Sequence, residues 1–258
     1  MRILPEIRVL TAKAGNTDIF NGLRIRVQGR ANMTLQPDLF LVEVYNPTDE
    51  DVIYARKIGS MSVFGHDGGL VCYGEIEDVY TRQDGSNDVT VFSLSDTQTF
   101  WESKTVKSIG AGIKVSAVIR SLAVGAAMGS YLADDLKIVR GMSVSGRNAD
   151  VISMLAKSVN ARAFVSGGVL HVVSKGRAEI LAHINEDDVL EEPQYADGVC
   201  IVKTVVKGWP VGMMCMYDRK MFRIIAQEID ADNLKGLWRT NVFLISEDAL
   251  DADGMGGG

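Results

Sequence analysis

The sequence predicts an α+β protein that is mainly β. Apolar and polar residues alternate in short runs through the first and last thirds of the chain, and the period lengthens to that of an amphipathic helix only in the middle third. Turn formers stand between the runs, with Asp-Gly, Gly-Gly and Asn-Pro pairs where a chain has to reverse or stop. The order is strands, then a helix-rich unit with its own hairpin, then strands again, divided at 1–105, 106–190 and 191–247, with a glycine-rich tail at 248–258.

In the first part, residues 23–27 alternate cleanly and 37–45 form a long apolar run closed by Asn46 and Pro47. The polar stretch 48–51 is expected as a loop, followed by a strand at 61–64, a loop at 66–69 and a strand at 71–76. Residues 84–87 turn the chain into a strand at 89–94, because Asp and Gly accept positive φ at low cost. Gly74, inside its strand, suggests a bulge or a barrel corner.

In the middle part, Val115, Val118, Ile119, Leu122 and Ala126 fall on one stripe of a helix that Gly129 ends. Asn148 is expected to cap a second helix over 148–160 carrying Ile152, Leu155 and Val159, with Asp150 in the first turn, where the helix dipole favours an acid. Residues 163–173 read as a tight hairpin turning at Gly167 and Gly168.

The last part is a β-ribbon. A strand at 199–207 meets the breaker Gly208, Trp209, Pro210; strands at 213–217 and 222–228 are joined by a turn at 218–220; an acidic loop at 230–233 precedes a strand at 237–245. Alternation puts Phe222, Ile224 and Ala226 on one face and Arg223 and Gln227 on the other. This is the pattern of a small barrel or sandwich whose purpose is to hold a surface. The tail at 254–258 has little to bury and is expected to be mobile unless a partner holds it.

At 258 residues, 47% of them apolar and 23% charged, the chain has ordinary globular composition, long enough for one large or two smaller domains. The net charge of −6 and the lack of any Lys/Arg run longer than two residues argue against a surface that grips nucleic acid by neutralising phosphates. The three cysteines, Cys72, Cys200 and Cys215, lie scattered in apolar strands and read as small buried hydrophobes. Pro5 and the charges around it interrupt the first apolar run before a signal-peptide core forms, and no apolar stretch reaches the roughly 18 residues of a membrane span, so folding in the cytoplasm is expected.

Chemistry-bearing residues form no motif. Of His66, His171 and His183, His171 sits among valines and a leucine, where a packed histidine is expected, and no Gly-x-Ser-x-Gly elbow accompanies them. Residues 108–114 lack the spacing and the Lys-Ser/Thr ending of a phosphate loop and read as a loop before a helix. Asp230, Asp232 and Asn233 lack the glycine and the terminal glutamate of a calcium loop and read as a solvated hairpin loop. Glu75 and Glu77 share a strand face, which makes a glycosidase pair conceivable, yet no aromatic sugar platform surrounds them. No residue is therefore assigned a catalytic, cofactor-binding or metal-binding role. Met213, Met214, Met216 and Met221 read as adaptable core or interface packing; if they form a seam between subunits, polar substitution at Met214 or Met216 weakens association and leaves the fold intact.

Gly141 to Ser145 leads into helix 148–160, Ser166 to Val172 supplies a hairpin, Glu192 and Pro193 precede the final strands, and Pro210 and Gly212, Phe222 to Ile225, Asp230 to Asn233, and Gly236, Trp238 and Thr240 form a closing phrase. This ordered set, from about residue 23 to 246, resembles the baseplate hub proteins of contractile-tailed phages, the Mu-like hub and late control protein D family. The chain departs from the family at Gln227, Glu228 and Ile229, near which many members carry a histidine, and it is shorter than typical hubs.

The resemblance implies two tube-like β-barrel units around a small α/β insert in a non-enzymatic structural virion protein. It implies a homotrimer that joins the hexameric tail tube, or its initiator protein, to the trimeric central spike, with a baseplate wedge or tape-measure protein as a further partner. DNA would pass through the channel without specific binding, along a wall whose like charge keeps it moving. The implied location is the tail baseplate, assembled in host cytoplasm with no membrane in the assembled state. Two alternatives stay open: a distal tail or tube-initiator protein, which assembles as a hexamer, and a tail-associated cell-wall-degrading enzyme.

Overall fold

The structure, a computed structural model, describes residues 10–65, 68–96, 98–124, 126–174, 177, 181–234, 238–246 and 249. The expectations for residues 1–9, His66, the Gly236 of the closing phrase and the tail at 254–258 fall outside them.

The first part contributes strands β1 (Thr11–Ala14), β2 (Thr17–Ile19), β3 (Ile25–Asn32) and β4 (Leu39–Tyr45), helix α1 (Asp49–Ile58), then β5 (Ser60–Phe64), β6 (Leu70–Asp84) and β7 (Asn87–Ser95). Helix α1 corrects the expected loop at 48–51. The Thr48 hydroxyl accepts the Asp51 N–H at 3.2 Å, three acids occupy the first turn, Arg56 and Lys57 the last, and Gly59 closes the helix at φ 76°. Only Ala55 of α1 is buried, so the helix carries almost no apolar stripe and its signal lies in its caps. The β6–β7 hairpin turns at Gly85 as expected. Gly74 marks a close crossing: a Cβ there would stand 2.8 Å from Leu94 Cβ, while the bulge of this ladder lies between Ile76 and Asp78.

Ahead of the expected boundary at 106 come α2 (Gln98–Glu102) and the start of β8 (Lys104–Ile109); the insert continues with α3 (Val115–Leu122), β9 (Ala127–Leu132), β10 (Met142–Arg147), α4 (Asn148–Ser158), β11 (Ala161–Ser166) and β12 (Val169–Ser174). The hairpin β11–β12 turns at Gly167 and Gly168 as the sequence indicates. Two expectations are corrected. Helix α3 stops at Leu122, and Gly129 lies inside β9, which runs parallel to β12; a Cβ at Gly129 would stand 2.5 Å from Val169 Cγ1, so glycine here serves a close approach and not a helix stop. Asn148 is the first residue of α4, and its side chain donates to Leu122 O at 2.8 Å, tying the start of α4 to the end of α3 without capping its own helix.

Strand β13 (Leu181–His183), within the expected 106–190 span, pairs with the last part, which contributes β14 (Gln194–Ala196), β15 (Val199–Thr204), β16 (Met214–Tyr217), β17 (Lys220–Asp232) and β18 (Trp238–Ile245). Strand β17 pairs with β18 on one side and with β3 on the other, so the strands of the first and last parts form one thirteen-stranded sheet in the order β14-β15-β18-β17-β3-β4-β7-β6-β5-β1-β2, with β13 and β16 branching from β17. Among the described residues this path closes no barrel.

A register step between Ile224 and Ala226 overturns the expected alternation of β17 for Ala226 and Gln227, which lie beyond it. Ile224 pairs with Leu244, and beyond the step Gln227 pairs with Val242 and Ile229 with Thr240, all on the inward face. One extra residue exchanges the faces, which moves Gln227 inward and Ala226 to the side of Phe243. Three large cores and one small cluster, Tyr45 with Val89 and Val91, follow among the described residues. One lies under the N-terminal strands, with Val27, Val42, Phe92 and Ala231; one fills the insert, with Ile119, Ile152 and Leu170; one lies at the β15–β18 end, with Cys200, Cys215, Ile224 and Leu244.

Candidate functional site

The strand register places charged residues in facing rows on the outward side of the central strands. The Arg24 guanidinium meets both Asp232 oxygens, at 3.1 and 2.5 Å, and lies 3.8 Å from the Tyr45 ring centre. This bond to Asp232 raises the Arg24 pKa above its ordinary value against the opposing cost of burial. Asp230 accepts from Arg26 and Gln28 at 3.3 Å each and from Arg239 at 3.4 Å; Glu228 accepts from Arg30 at 3.2 Å; Glu43 accepts from Arg82 at 2.8 Å. The expected solvated acidic loop is thus corrected. Asp230 and Asp232 belong to β17, and the Asn233 side chain holds Ile25 N–H and Leu23 O at 2.9 and 3.0 Å. Strand pairing brought these carboxylates beside arginines some 200 positions away, a link that local spacing could not reveal. Leu39, Leu41 and Tyr80 stand exposed among them, a mixed surface suited to contact with protein.

A second feature is a half-open cleft of 290 Å³ where the sheet, the β11–β12 hairpin and the segment 209–213 converge. Its walls are largely apolar, with Phe40, Leu70, Val169, Val211 and Met213, and Asp38 and Asp96 form its acidic end. These two are 3% and 1% exposed. Asp96 Oδ1 accepts Asp38 N–H at 2.9 Å, Asp38 Oδ1 accepts Asn32 N–H at 2.8 Å, and Trp101 Nε1 donates to Asp96 O at 2.7 Å. Asp96 Oδ2 is buried with no hydrogen-bond partner among the described residues. Burial, then the charge of Asp96, push the Asp38 carboxyl up to about 8; burial pushes Asp96 up to about 6 against the lowering effect of the Asp38 N–H and Trp101. Sequence reading passed over both acids. Each stands at the end of an apolar strand run, where a lone aspartate looks like a turn residue.

The remaining singled-out residues are not brought together. His171 stacks on Phe164 at 5.3 Å and lines the cleft, while His183 is exposed on β13. The expected loop at 108–114 is shorter, since Ser108 and Ile109 end β8; Gly112 N–H donates to Ile138 O at 2.8 Å, Val115 N–H at the start of α3 donates to Leu136 O at 3.0 Å, and Lys114 pairs with Asp135. Glu75 pairs with Ser95, and Glu77 is the bulged residue of that ladder, without a partner position of its own. The three cysteines are buried and free, and burial pushes the Cys72 and Cys215 thiols up to about 12. Met214 is buried at 6% exposure, whereas Met221 is 44% exposed. No helix among the described residues is long and apolar enough to cross a membrane.

No sequence-family model matches the chain, and no curated protein matches it by sequence. Solved structures do match by fold. The tail protein of Neisseria meningitidis MC58 superposes with a TM-score of 0.64 at 12% identity, covering 93% of this chain and 97% of that one. The 43 kDa tail protein of prophage MuSo2 from Shewanella oneidensis gives 0.66 at 10% identity, with 93% and 97% covered. The E. coli c3393 protein, a type VI secretion component with structural similarity to the T4 tail proteins gp27 and gp5, gives 0.61 at 8% identity, with 92% and 76% covered. At these identities the likeness is one of fold.

Proposed function

We propose that the chain is a structural protein of a phage tail, and within the tail the baseplate hub that joins the hexameric tube to the trimeric central spike and forms part of the DNA ejection channel. The observation that carries this reading is the shared fold with two tail proteins, one of them from a prophage, over 93% of this chain and 97% of each of theirs. Likeness to a secretion component resembling gp27 and gp5 supports placing it near the spike.

In this reading the chain works as a homotrimer without catalysis, and residues 1–105 and 191–247 act as two tube-like units on either side of the insert at 106–190. The shared β3–β17 ladder supports the pairing of the two units, since seven aligned positions fix one against the other. Tail-tube or tube-initiator, spike, and wedge or tape-measure proteins are its partners, and the virion baseplate its place. Arginines paired within the chain leave the central strands with few uncompensated cations, which suits a surface past which DNA moves without being held. Native mass measurement with negative-stain imaging tests the proposal: three copies in a ring with a central hole are expected. Six copies indicate a tube initiator, and a solitary chain at high concentration that clears cell-wall suspensions overturns the structural reading.

A further inference from the structure

We propose that the cleft between the sheet and the insert is a receptor for one aliphatic cationic side chain, lysine or arginine, of a partner polypeptide, whose charged head meets Asp38 and Asp96. The inference rests on the assembly reading for the partner being a polypeptide, and on the cleft alone for its chemistry.

The acidic end is built and incomplete. Asp96 is 1% exposed; its Oδ1 is occupied by the Asp38 N–H at 2.9 Å, and its Oδ2 has no hydrogen-bond partner among the described residues. An unsatisfied buried polar atom costs about 1 to 3 kcal/mol, more when charged, which a donor from outside would recover. The acids of the central strands, Asp232, Asp230, Glu228 and Glu43, each have an arginine, whereas none of the described residues lining this cleft is Lys or Arg.

Size and lining select the ligand. At 290 Å³ the cleft is at the lower limit of the roughly 300 to 1,000 Å³ typical of sites for larger small molecules, which fits a single side chain. Phe40, Leu70, Val169 and Met213 offer methylene contacts of the kind lysine and arginine stems make, with the charge at the far end. The other titratable groups facing the acids oppose an anion and admit a cation: Glu75 adds negative charge toward Asp96, while burial raises the pKa values of Cys72 and Tyr73 and favours their neutral forms. His171 lies across the cleft against Phe164. A cation seated here stabilises the ionised carboxylates, so binding releases a proton and tightens as pH rises through the range in which Asp96 and Asp38 titrate, about 6 to about 8.

The test uses the full chain, with Trp209 at the cleft wall as fluorescent reporter and calorimetry in two buffers of different ionisation enthalpy. The probes are acetyl-Gly-Lys-Gly-amide, its norleucine counterpart with the same stem and no charge, and n-pentylamine. The lysine peptide is expected to bind saturably, at least tenfold more tightly than the norleucine peptide, with proton release and rising affinity between pH 6 and 8. Asp96→Asn is expected to weaken it at least tenfold without lowering the thermal midpoint. Equal affinity for both peptides, or no binding by any probe, overturns the inference, and so does saturation by pentylamine alone, which would assign the cleft to a free amine. The peptide selectivity of the unaltered protein decides the matter even if the variant fails to fold, and neither result bears on copy number, which tests the hub reading separately.

Discussion

Arg24 and Asp232 stand 208 residues apart in the chain and meet as a two-pronged ion pair, with side chains 12% and 1% exposed, at the seam where the first and last thirds join. Removing one partner of a buried pair leaves the other charge uncompensated, which costs about 3 to 5 kcal/mol. Arg24→Ala is therefore expected to lower unfolding stability by about 3 kcal/mol in urea denaturation, and Arg24→Ala with Asp232→Asn to cost less than Arg24→Ala alone. Exposed Arg147 and Asp150, paired at 2.9 Å, provide the contrast, with an expected loss within about 1 kcal/mol for Arg147→Ala.

The cleft acids set a pH dependence of definite sign. Their folded-state pKa values, about 8 for Asp38 and about 6 for Asp96, lie above the ordinary carboxylate value of 3.8, so the unfolded chain loses these protons first. Their stabilising contribution is full below pH 4, falls by up to about 1.4 kcal/mol per pH unit per group as pH rises, and is lost for Asp96 by about 6 and for Asp38 by about 8. Asp135, whose pKa is lowered by its hydrogen bonds to Ser116 and by Lys114, has the opposite slope, so the measurement is the difference in urea midpoint between the unaltered chain and Asp38→Asn. That difference is expected to favour the asparagine variant increasingly from pH 5 to pH 8.5.

The strands whose side chains alternate against a single core were legible in the sequence, as were the turns at Gly85 and Gly167, because the information lies within a few residues. What escaped depends on partners far along the chain. Gly129 reads as a helix stop until β12 is laid beside it, and Gln227 reads as outward until the step after Ile224 exchanges the faces. Asp230 and Asp232 read as a solvated loop because nothing nearby announces Arg24 and Arg26. Helix α1 was missed for a different reason: its first-turn acids and Thr48 cap are local signals, but without an apolar stripe they resemble a polar loop. Asp38 and Asp96 gave no signal beyond being polar residues at the ends of apolar runs.

Gly212 couples the segment 209–213 to the insert. It has φ 84°, and a Cβ there would stand 2.0 Å from Phe164 Cζ, whereas Gly22, at φ 72°, has open space around it. Gly22→Ala therefore isolates the conformational cost, about 1 to 2 kcal/mol. Gly212→Ala is expected to cost at least about 2 kcal/mol more, the scale of an overpacked core, because the ring has to move. Thermal unfolding of both variants measures the difference; equal losses would mean that Phe164 yields freely.

The methionine group separates into residues that serve the fold and one that is available to a partner. Met214, at 6% exposure, packs within the chain, so Met214→Glu is expected to unfold it or to cost several kcal/mol, on the order of 3, for a buried charge. Met221 is 44% exposed at the start of β17 and faces Met216 across the hairpin. A thioether there adapts to irregular surfaces. If the trimer seam runs along this hairpin, Met221→Glu lowers the association constant at least tenfold, about 1.4 kcal/mol, while the thermal midpoint of the isolated chain stays within about 2 °C. Sedimentation equilibrium reads the first quantity and calorimetry on dilute protein the second. An unchanged association constant would move the seam elsewhere on the sheet, with Leu39, Leu41 and Tyr80 as the next exposed apolar group to substitute.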